Sequence, residues 1–123
     1  MTTASAPGKV ILFGEHAVVY GQPAIAAPVT QVRAHAEVQN AQADAPAGVF
    51  LRAPDLNFSA WLADTEPDNP LTATIHQFQK AAGWTSLPNL VLTVTSTIPI
   101  AGGLGSGAAI SAAVLRALAQ HLD

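Results

Sequence analysis

The chain has 123 residues, half of them hydrophobic, which is enough for one domain with a buried core but hardly for two. Its five lysines and arginines are scattered singly and its formal net charge is -3, which excludes a basic surface for nucleic acid or for an anionic membrane. There is no cysteine, no export signal in Met1–Ser5 and no apolar run long enough for a membrane span, so we expect a cytoplasmic protein without disulfides.

The first half of the chain predicts four strands. The apolar run Val10–Phe13, which follows the strand boundary Pro7-Gly8, predicts a short buried strand. Ala24–Gln39 begins apolar and then alternates, which predicts a half-buried antiparallel strand. Its inward residues are Val32, Ala34, Ala36 and Val38. The small, polar stretch 40–48 predicts a loop, and Val49–Leu62 predicts two further short strands broken by Pro54-Asp55.

The second half predicts a helix, a strand and a second helix. Asn69-Pro70 is a helix entry, because a side-chain acceptor precedes a proline, and Gly83 ends this helix. The apolar residues between them recur at helical spacing: Leu71, Ile75, Phe78 and Ala82. The alternation of Leu90–Thr95 predicts a strand that ends at Pro99. From Gly107 the chain predicts an alanine-rich helix buried nearly all round. Its apolar face is Ile110, Val114, Leu118 and Leu122.

The stretch "PIAGGLGSGAA", residues 99–109, joins the last strand to the last helix. A glycine-rich turn before a helix makes an anion site, because the first helical N–H groups lack internal acceptors and the helix dipole favours negative charge. The glycines at 102, 103, 105 and 107 permit left-handed dihedrals and let phosphate oxygens approach the backbone. The alternative to an anion site is a tight connection between strand and helix in which the glycines serve only the turn geometry. Gly103-x-Gly105-x-x-Ala108 fits a relaxed dinucleotide fingerprint, but that motif needs a further strand that carries an acidic residue, and Asp123 lies at the end of a helix. A nucleotide-triphosphate loop of the GxxxxGK[ST] kind is excluded because no lysine follows the glycines.

Two motifs in this order, "APGKVILFGEHAVVYGQPAIA" (residues 6–26) and residues 99–109, resemble the GHMP kinase superfamily. Within it, "GEHAVVYG" is similar to the mevalonate kinase family: galactokinases usually place an Asp-Asn pair soon after Gly-Glu-His, and phosphomevalonate kinases usually have tyrosine where His16 stands. The resemblance implies an α+β fold of the ribosomal protein S5 domain 2-like type. It also implies that residues 1–123 are an incomplete N-terminal, ATP-binding domain whose C-terminal domain is absent. The last helix reaches Asp123 without a sequence stop signal, which agrees with a truncation.

The resemblance also assigns site residues. The backbone of the loop is expected to wrap the β- and γ-phosphates of ATP with help from Ser106, while Leu104 anchors the loop in the core. The expected cofactor-binding residues are Gly102, Gly103, Leu104, Gly105, Ser106, Gly107 and Ala108. Lys9 is expected to be catalytic and substrate-binding, beside the reacting hydroxyl, where its cation favours the alkoxide. Glu15 and His16 are expected to bind substrate. The alternatives are a solvated lysine at a strand end and an ordinary surface Glu-His pair.

The implied reaction is transfer of the γ-phosphoryl group of ATP, with Mg²⁺, to the 5-hydroxyl of mevalonate in isoprenoid precursor synthesis. Gly107 stands where many mevalonate kinases have a second serine thought to ligate Mg²⁺, so the metal ligands stay unknown. None of the eight acidic residues matches the family's downstream carboxylates, so we expect the chain to be inactive alone and to pack against its own C-terminal domain. A homodimer stays open. The alternatives are another GHMP kinase, acting on phosphomevalonate or a sugar, and a non-catalytic nucleotide-binding fragment.

The remaining conspicuous side chains predict structural roles. The histidines at 35, 76 and 121 lack the spacing of metal ligands. Tyr20 and Trp61 are interpreted as packing residues, and the acidic residues Asp64, Glu66 and Asp68 as solvated side chains around a helix start. Only 11% of the residues are charged, against about 25% in an average soluble domain, which indicates that some apolar surface faces a partner.

Overall fold

One five-stranded sheet with α-helices on one of its faces makes up the part of the chain that the structure describes, residues 1–14, 17–99 and 104–123 of a computed structural model. The elements are β1 (Thr2–Phe13), β2 (Ile25–Asn40), β3 (Val49–Ala53), β4 (Phe58–Trp61), α1 (Pro70–Ala82), β5 (Leu90–Ser96) and α2 (Ser106–His121), with short 3-10 helices at Ala17–Tyr20, Pro54–Leu56 and Leu62–Asp64. The strand order is β1-β2-β5-β3-β4; β3 and β5 are parallel and the other pairs are antiparallel. The α+β prediction is confirmed.

The core lies between the sheet and the helices. Alternate residues of the two central strands, β2 and β5, point into it, as their sequence alternation predicts. The buried set is Ala34, Ala36 and Val38 of β2 with Leu90, Leu92 and Val94 of β5, whereas Val32 is only half-buried. The helix α2 lies across β1 and β2 and covers this layer, and α1 packs beside it. The small alanines of β2 let α2 approach the sheet closely.

The first strand differs from its prediction in length and in burial. It begins at Thr2, and Ala4 and Ala6 are buried, although Met1–Ser5 carries only a weak apolar signal. Pro7-Gly8 is an irregularity inside β1, where the register with β2 shifts, rather than the start of the strand. The predicted burial of Val10–Phe13 is wrong where side-chain burial is described, because Val10 and Ile11 are half-buried and Leu12 is exposed.

Burial of α2 also departs from the prediction. The helix begins at Ser106 and buries one face, formed by Ala109, Ala113, Val114, Ala117 and Leu118. Ala108 and Ala119 are exposed, so the expectation of burial nearly all round is wrong for this chain. The reason is that alanine combines the best helix propensity with a small side chain, so it occurs on buried and on solvated faces alike.

Both ends of α1 follow the predicted signals. The Asn69 side chain accepts hydrogen bonds from the backbone N–H groups of Leu71 (3.0 Å) and Thr72 (3.3 Å), which satisfies two donors of the first turn. Gly83 ends the helix in the left-handed region, with φ at 77°. These two residues therefore determine the helix boundaries.

We expect Asn69→Ala to lower the free energy of unfolding by about 1 kcal/mol, because two N–H groups lose their acceptor. Urea denaturation followed by circular dichroism measures this change. Asp68→Ala is the matched control: its side chain is exposed and precedes the cap, so it should leave the midpoint nearly unchanged. Equal losses from the two substitutions would contradict the assignment of Asn69 as the cap.

Side-chain hydrogen bonds attach α2 to its neighbours along its length. Near the middle, Arg116 donates from Nη1 to the Ser5 carbonyl oxygen at 3.0 Å. In the last turn, the Nδ1 and Nε2 atoms of His121 each lie 2.8 Å from a partner, Thr2 Oγ1 and Asn40 Oδ1 respectively. His121 thus joins the start of β1 to the end of β2, a role that a single histidine in sequence does not reveal. These bonds hold the helix in place on the sheet.

The two aromatic residues interpreted as packing residues behave differently. Trp61 packs edge-to-face on Phe50, with ring centroids 5.0 Å apart, so its packing role is confirmed. Tyr20 is 83% exposed, so a packing role within this chain is wrong. No helix within the described ranges is long and apolar enough to cross a bilayer.

Candidate functional site

The first turn of α2, which follows β5 and the glycine-rich stretch, carries no side-chain cap. Its N-cap residue is Gly105, in the left-handed conformation with φ 72° and ψ 39°, and the Gly105 carbonyl accepts from Ala109 N–H at 3.0 Å. In α1 an asparagine side chain occupies the corresponding acceptor position. The uncapped N–H groups and the positive end of the helix dipole make this turn a suitable site for an anion.

Lys9 lies directly against this turn. Its backbone N–H donates to the Leu104 carbonyl oxygen at 2.8 Å. A Cβ atom added to Gly105 would lie 2.9 Å from Lys9 Cγ and 3.0 Å from Lys9 Cε, so the aliphatic stem of the lysine runs over the glycine. Two features favour glycine at position 105: its backbone is left-handed, and the Lys9 stem fills the space that a Cβ would occupy. The structure therefore brings Lys9 together with two neighbouring residues, Leu104 and Gly105, that are distant from it in sequence.

Gly8 is a residue of this contact that sequence reasoning did not assign. A Cβ atom there would lie 3.1 Å from the Leu104 carbonyl oxygen and 3.0 Å from Val32 Cγ2. The absence of a side chain lets β1 approach the loop closely enough for the hydrogen bond from Lys9. The signal in sequence was the Pro7-Gly8 pair, which was interpreted only as the boundary of a strand.

Gly107 has a different environment from Gly105. It lies inside α2 and is not among the glycines with positive φ, so the left-handed region that glycine permits is used at Gly105 and not at Gly107. A Cβ atom at Gly107 would have no neighbour within 4 Å. Gly107 and Ala108 are exposed, whereas Leu104 is half-buried and packs against the core, as expected for the residue that anchors the loop.

A small cavity of about 110 Å³ opens beside Ser106. Its apolar lining is Ala53, Leu56, Val94, Ile98 and Ile110, and its polar lining includes Asp55, Thr95, Ser96 and Ser106. Asp55 is held in place because one of its carboxylate oxygens, Oδ2, accepts from the Ser96 backbone N–H at 2.8 Å. The cavity therefore joins an apolar slot to the first turn of α2.

A wider groove of about 520 Å³ lies at the other end of the sheet, where β3 and β5 begin. Trp61, Asp64 and His76 are among its lining residues. It is remote from Lys9 and from the start of α2, which lie at the end of β5. Within residues 1–14, 17–99 and 104–123, no three His, Cys, Asp or Glu side chains come together as a metal site.

Four predicted site residues lie outside the described residues: Glu15 and His16 after β1, and Gly102 and Gly103 before α2. Their roles stay predictions. The structure therefore supplies the geometry of the site from Lys9, Leu104, Gly105, Ser106 and Gly107.

Comparisons with known proteins show which family and fold the chain resembles. Residues 69–123 match the family described as "GHMP kinases N terminal domain". The chain is 36% identical to the mevalonate kinase of Pyrococcus abyssi over 135 residues, which cover 100% of this chain and 39% of that protein. A crystal structure of a mevalonate kinase matches all of this chain with a TM-score of 0.83 at 28% identity, and the Methanococcus jannaschii mevalonate kinase matches 98% of it with a TM-score of 0.81 at 29% identity.

This chain spans 39% of the length of its Pyrococcus abyssi relative and 41% and 40% of the two matched structures. Its two motifs occur in the order expected for GHMP kinases, and its sheet and helices superpose on their N-terminal domain. Residues 69–123 therefore belong to the GHMP kinase N-terminal domain family, and the chain has the fold of that domain.

Proposed function

We propose that this chain is the ATP-binding part of a mevalonate kinase, an enzyme that transfers the γ-phosphoryl group of ATP to the 5-hydroxyl of mevalonate. The observation that carries the proposal is the contact of Lys9 with the uncapped first turn of α2. Such a contact places a cation beside an anion site, which is the arrangement that phosphoryl transfer to an alcohol needs. The likeness to mevalonate kinases supports this choice of acceptor.

The start of α2 is proposed to hold the phosphates of ATP. The backbone N–H groups of Ser106, Gly107 and Ala108 belong to the first turn and have no intrahelical acceptor. Gly105 carries no Cβ, and the Lys9 stem occupies the space that a Cβ would fill, so the lysine lies close to this turn. Gly102 and Gly103 are proposed to extend this backbone surface.

Lys9 is proposed to act on the acceptor. In the reaction the acceptor hydroxyl gives its proton to one of the family's downstream carboxylates, its oxygen forms a bond to the γ-phosphorus, and the bond from that phosphorus to the bridging oxygen breaks so that ADP leaves. The stem of Lys9 runs across Gly105 as far as Cε, and its ammonium group is proposed to reach the phosphates at this turn. There the positive charge stabilises the alkoxide and the negative charge that develops on the transferring group. Glu15 and His16 are proposed to orient mevalonate.

The cavity beside Ser106 is proposed to receive the nucleoside end of ATP. Its apolar lining suits a flat base, and its opening at Ser106 adjoins the phosphate-binding turn. Asp55 offers its second carboxylate oxygen to a donor on the nucleoside, because the first is occupied by Ser96. The nucleotide would then run from this cavity across the first turn towards Lys9.

Mg²⁺, when bound to the nucleotide, neutralises charge on the β- and γ-phosphates. The first turn of α2 offers one side-chain oxygen, the hydroxyl of Ser106, because the next two residues are Gly107 and Ala108. Since Mg²⁺ commonly keeps several water ligands, we propose that Ser106, the phosphates and water hold it on this side.

We expect Gly107→Ser to increase the apparent affinity for Mg²⁺ in the presence of ATP, because the open space around Gly107 admits a hydroxyl at the position where many mevalonate kinases carry one. Titration of Mg²⁺ at constant ATP measures this affinity. Gly107→Ala is the matched control, since it adds the same Cβ without the oxygen. A gain of equal size in both variants would contradict a role for the hydroxyl and indicate an effect of helix propensity alone.

We propose that kinase activity requires further polypeptide beyond this chain, because the chain spans only 39% of its Pyrococcus abyssi relative. The test is a chimera in which residues 1–123 replace the matched segment of that mevalonate kinase. We expect the chimera to phosphorylate mevalonate in preference to phosphomevalonate and galactose, and the chain alone to phosphorylate none of them. A folded chimera that phosphorylates only another acceptor would overturn the choice of mevalonate. Submicromolar, specific binding of ATP and Mg²⁺ by the chain alone would contradict the view that its site is incomplete.

A further inference from the structure

Part of β1 and β2 forms a two-stranded ribbon that extends beyond the pairing with β5. Gly8–Phe13 pairs with Ile25–Val29, whereas β2 pairs with β5 only over Ala34–Asn40. The first half of β2 therefore has a single strand partner among the described residues. The 3-10 helix Ala17–Tyr20 lies between the two strands of this ribbon in sequence. We call these three segments together the apolar ribbon.

The apolar ribbon is exposed over most of its length. Among the residues whose burial is described, none from Lys9 to Leu12 and none from Ile25 to Gln31 is buried. Five large hydrophobic side chains of the ribbon stand in solvent: Leu12 (53% exposed), Val18 (46%), Val19 (74%), Tyr20 (83%) and Ile25 (53%). They are more than half of the exposed large hydrophobic residues in the described part of the chain.

The composition of this region is almost free of charge. Between Val10 and Val32 the sequence contains a single residue with a formal charge, Glu15. A two-stranded ribbon is marginally stable in water by itself, and a contiguous exposed apolar surface of this kind marks an interaction site. The polar outer face of the sheet body is different, since Ser5, Arg33 and His35 alternate there with buried alanines.

Two observations bear on the occupant. The mevalonate kinase relatives are more than twice as long as their match to this chain, so they contain a large further part of polypeptide that can pack against such a surface. The apolar ribbon begins at Gly8 and Lys9, the residues that contact the start of α2, so it is continuous with the candidate site. A protein segment that covers the ribbon would therefore also close one side of that site.

We propose that the apolar ribbon is the docking surface for the part of a mevalonate kinase that lies beyond the match to this chain. The identity of this partner rests on the proposed function, whereas the existence of the surface rests on the exposure of the ribbon. The contact is apolar, centred on Tyr20 and Ile25, and it excludes water from the ribbon side of Lys9.

The absence of cysteine from the chain allows a direct test by single-cysteine labelling. Val19→Cys, Tyr20→Cys and Ile25→Cys place a thiol on the ribbon, and Ala43→Cys is the matched control, exposed in the loop beyond the far end of β2. Each variant is labelled with a maleimide, alone and with a cysteine-free form of the Pyrococcus abyssi segment beyond the match. Circular dichroism verifies that each variant is folded.

When about nine-tenths of the chain is bound to the segment, we expect the labelling rate at the ribbon positions to fall by about tenfold, because only the free chain then reacts. The labelling rate of Ala43→Cys should stay unchanged. Unchanged labelling at all three ribbon positions would overturn the proposal. Protection that rises with the concentration of the chain alone, together with a dimer in light scattering, would also overturn it, because the occupant would then be a second copy. ATP binding measured on the same samples separates the two proposals, since the ribbon can be protected whether or not the nucleotide binds.

Discussion

Gly105→Ala is expected to weaken the binding of ATP and Mg²⁺ by at least about tenfold and to destabilise the fold by about 1–2 kcal/mol. The stability cost arises because Gly105 has a φ of 72°, a conformation that an L-residue adopts with strain. The loss of affinity arises because the added Cβ would lie 2.9 Å from Lys9 Cγ and would displace the lysine or the turn. Calorimetric titration of the chimera and urea unfolding of the chain measure the two effects.

Gly107→Ala is the control for this prediction. It adds the same methyl group two residues further on, where the space is open and the backbone is helical, so affinity and stability should stay within a few tenths of a kcal/mol of the parent or improve. If Gly105→Ala bound ATP as well as Gly107→Ala does, the turn at Gly105 would not be the phosphate site.

Lys9→Met is expected to lower kcat of the chimera by about 10²–10³-fold, the range found when one electrostatic contact to a transition state is removed. Methionine keeps an unbranched stem over Gly105 and lacks the ammonium group, so the KM for ATP and the unfolding midpoint should change little. Steady-state kinetics with mevalonate and ATP, together with thermal unfolding, separate the charge from the packing.

Two further variants define what Lys9 contributes. Lys9→Ala removes the stem as well as the charge, so we expect it to lose stability in addition to turnover. Lys9→Arg keeps a positive charge in a planar group of different reach, so we expect it to recover part of the activity. Full turnover by Lys9→Met would show that the lysine is a solvated side chain at a strand end, the alternative that the sequence left open.

Local signals were sufficient to predict the elements whose boundaries depend on short-range chemistry. The Asn69 side chain and Gly83 determine α1 because capping involves residues within one turn of each other. The alternation in β2 and β5 predicted their buried faces, because one side of each strand faces the core and the other does not.

Features that depend on contacts between distant segments were missed. The first half of β1 is a strand because Ala4 and Ala6 fit beneath α2, and no local pattern in Thr2–Pro7 shows this. The run Val10–Phe13 has the composition of a buried strand, yet it belongs to a ribbon that this fold leaves uncovered. The hydrogen bonds of His121 join three elements and have no counterpart in sequence spacing.

The sequence pointed to some members of the candidate site but not to Gly8 and not to the geometry. The two motifs point to Lys9 and to the glycine stretch separately, but only the register of β1 against the loop shows that the lysine stem lies on Gly105. The sequence also treats Gly105 and Gly107 alike. Their different backbone conformations depend on where α2 begins, and helix boundaries are the least certain part of any interpretation of sequence.

The most direct test of the proposed site is an NMR titration of the isotopically labelled chain with Mg²⁺ and a non-hydrolysable ATP analogue. The largest shifts are expected at the backbone amides of Gly105, Ser106, Gly107 and Ala108 and at the ammonium of Lys9, the groups at the start of α2. Shifts that leave these groups unchanged and appear instead around Trp61 and His76, in the groove at the other end of the sheet, would contradict the assignment of the phosphate site.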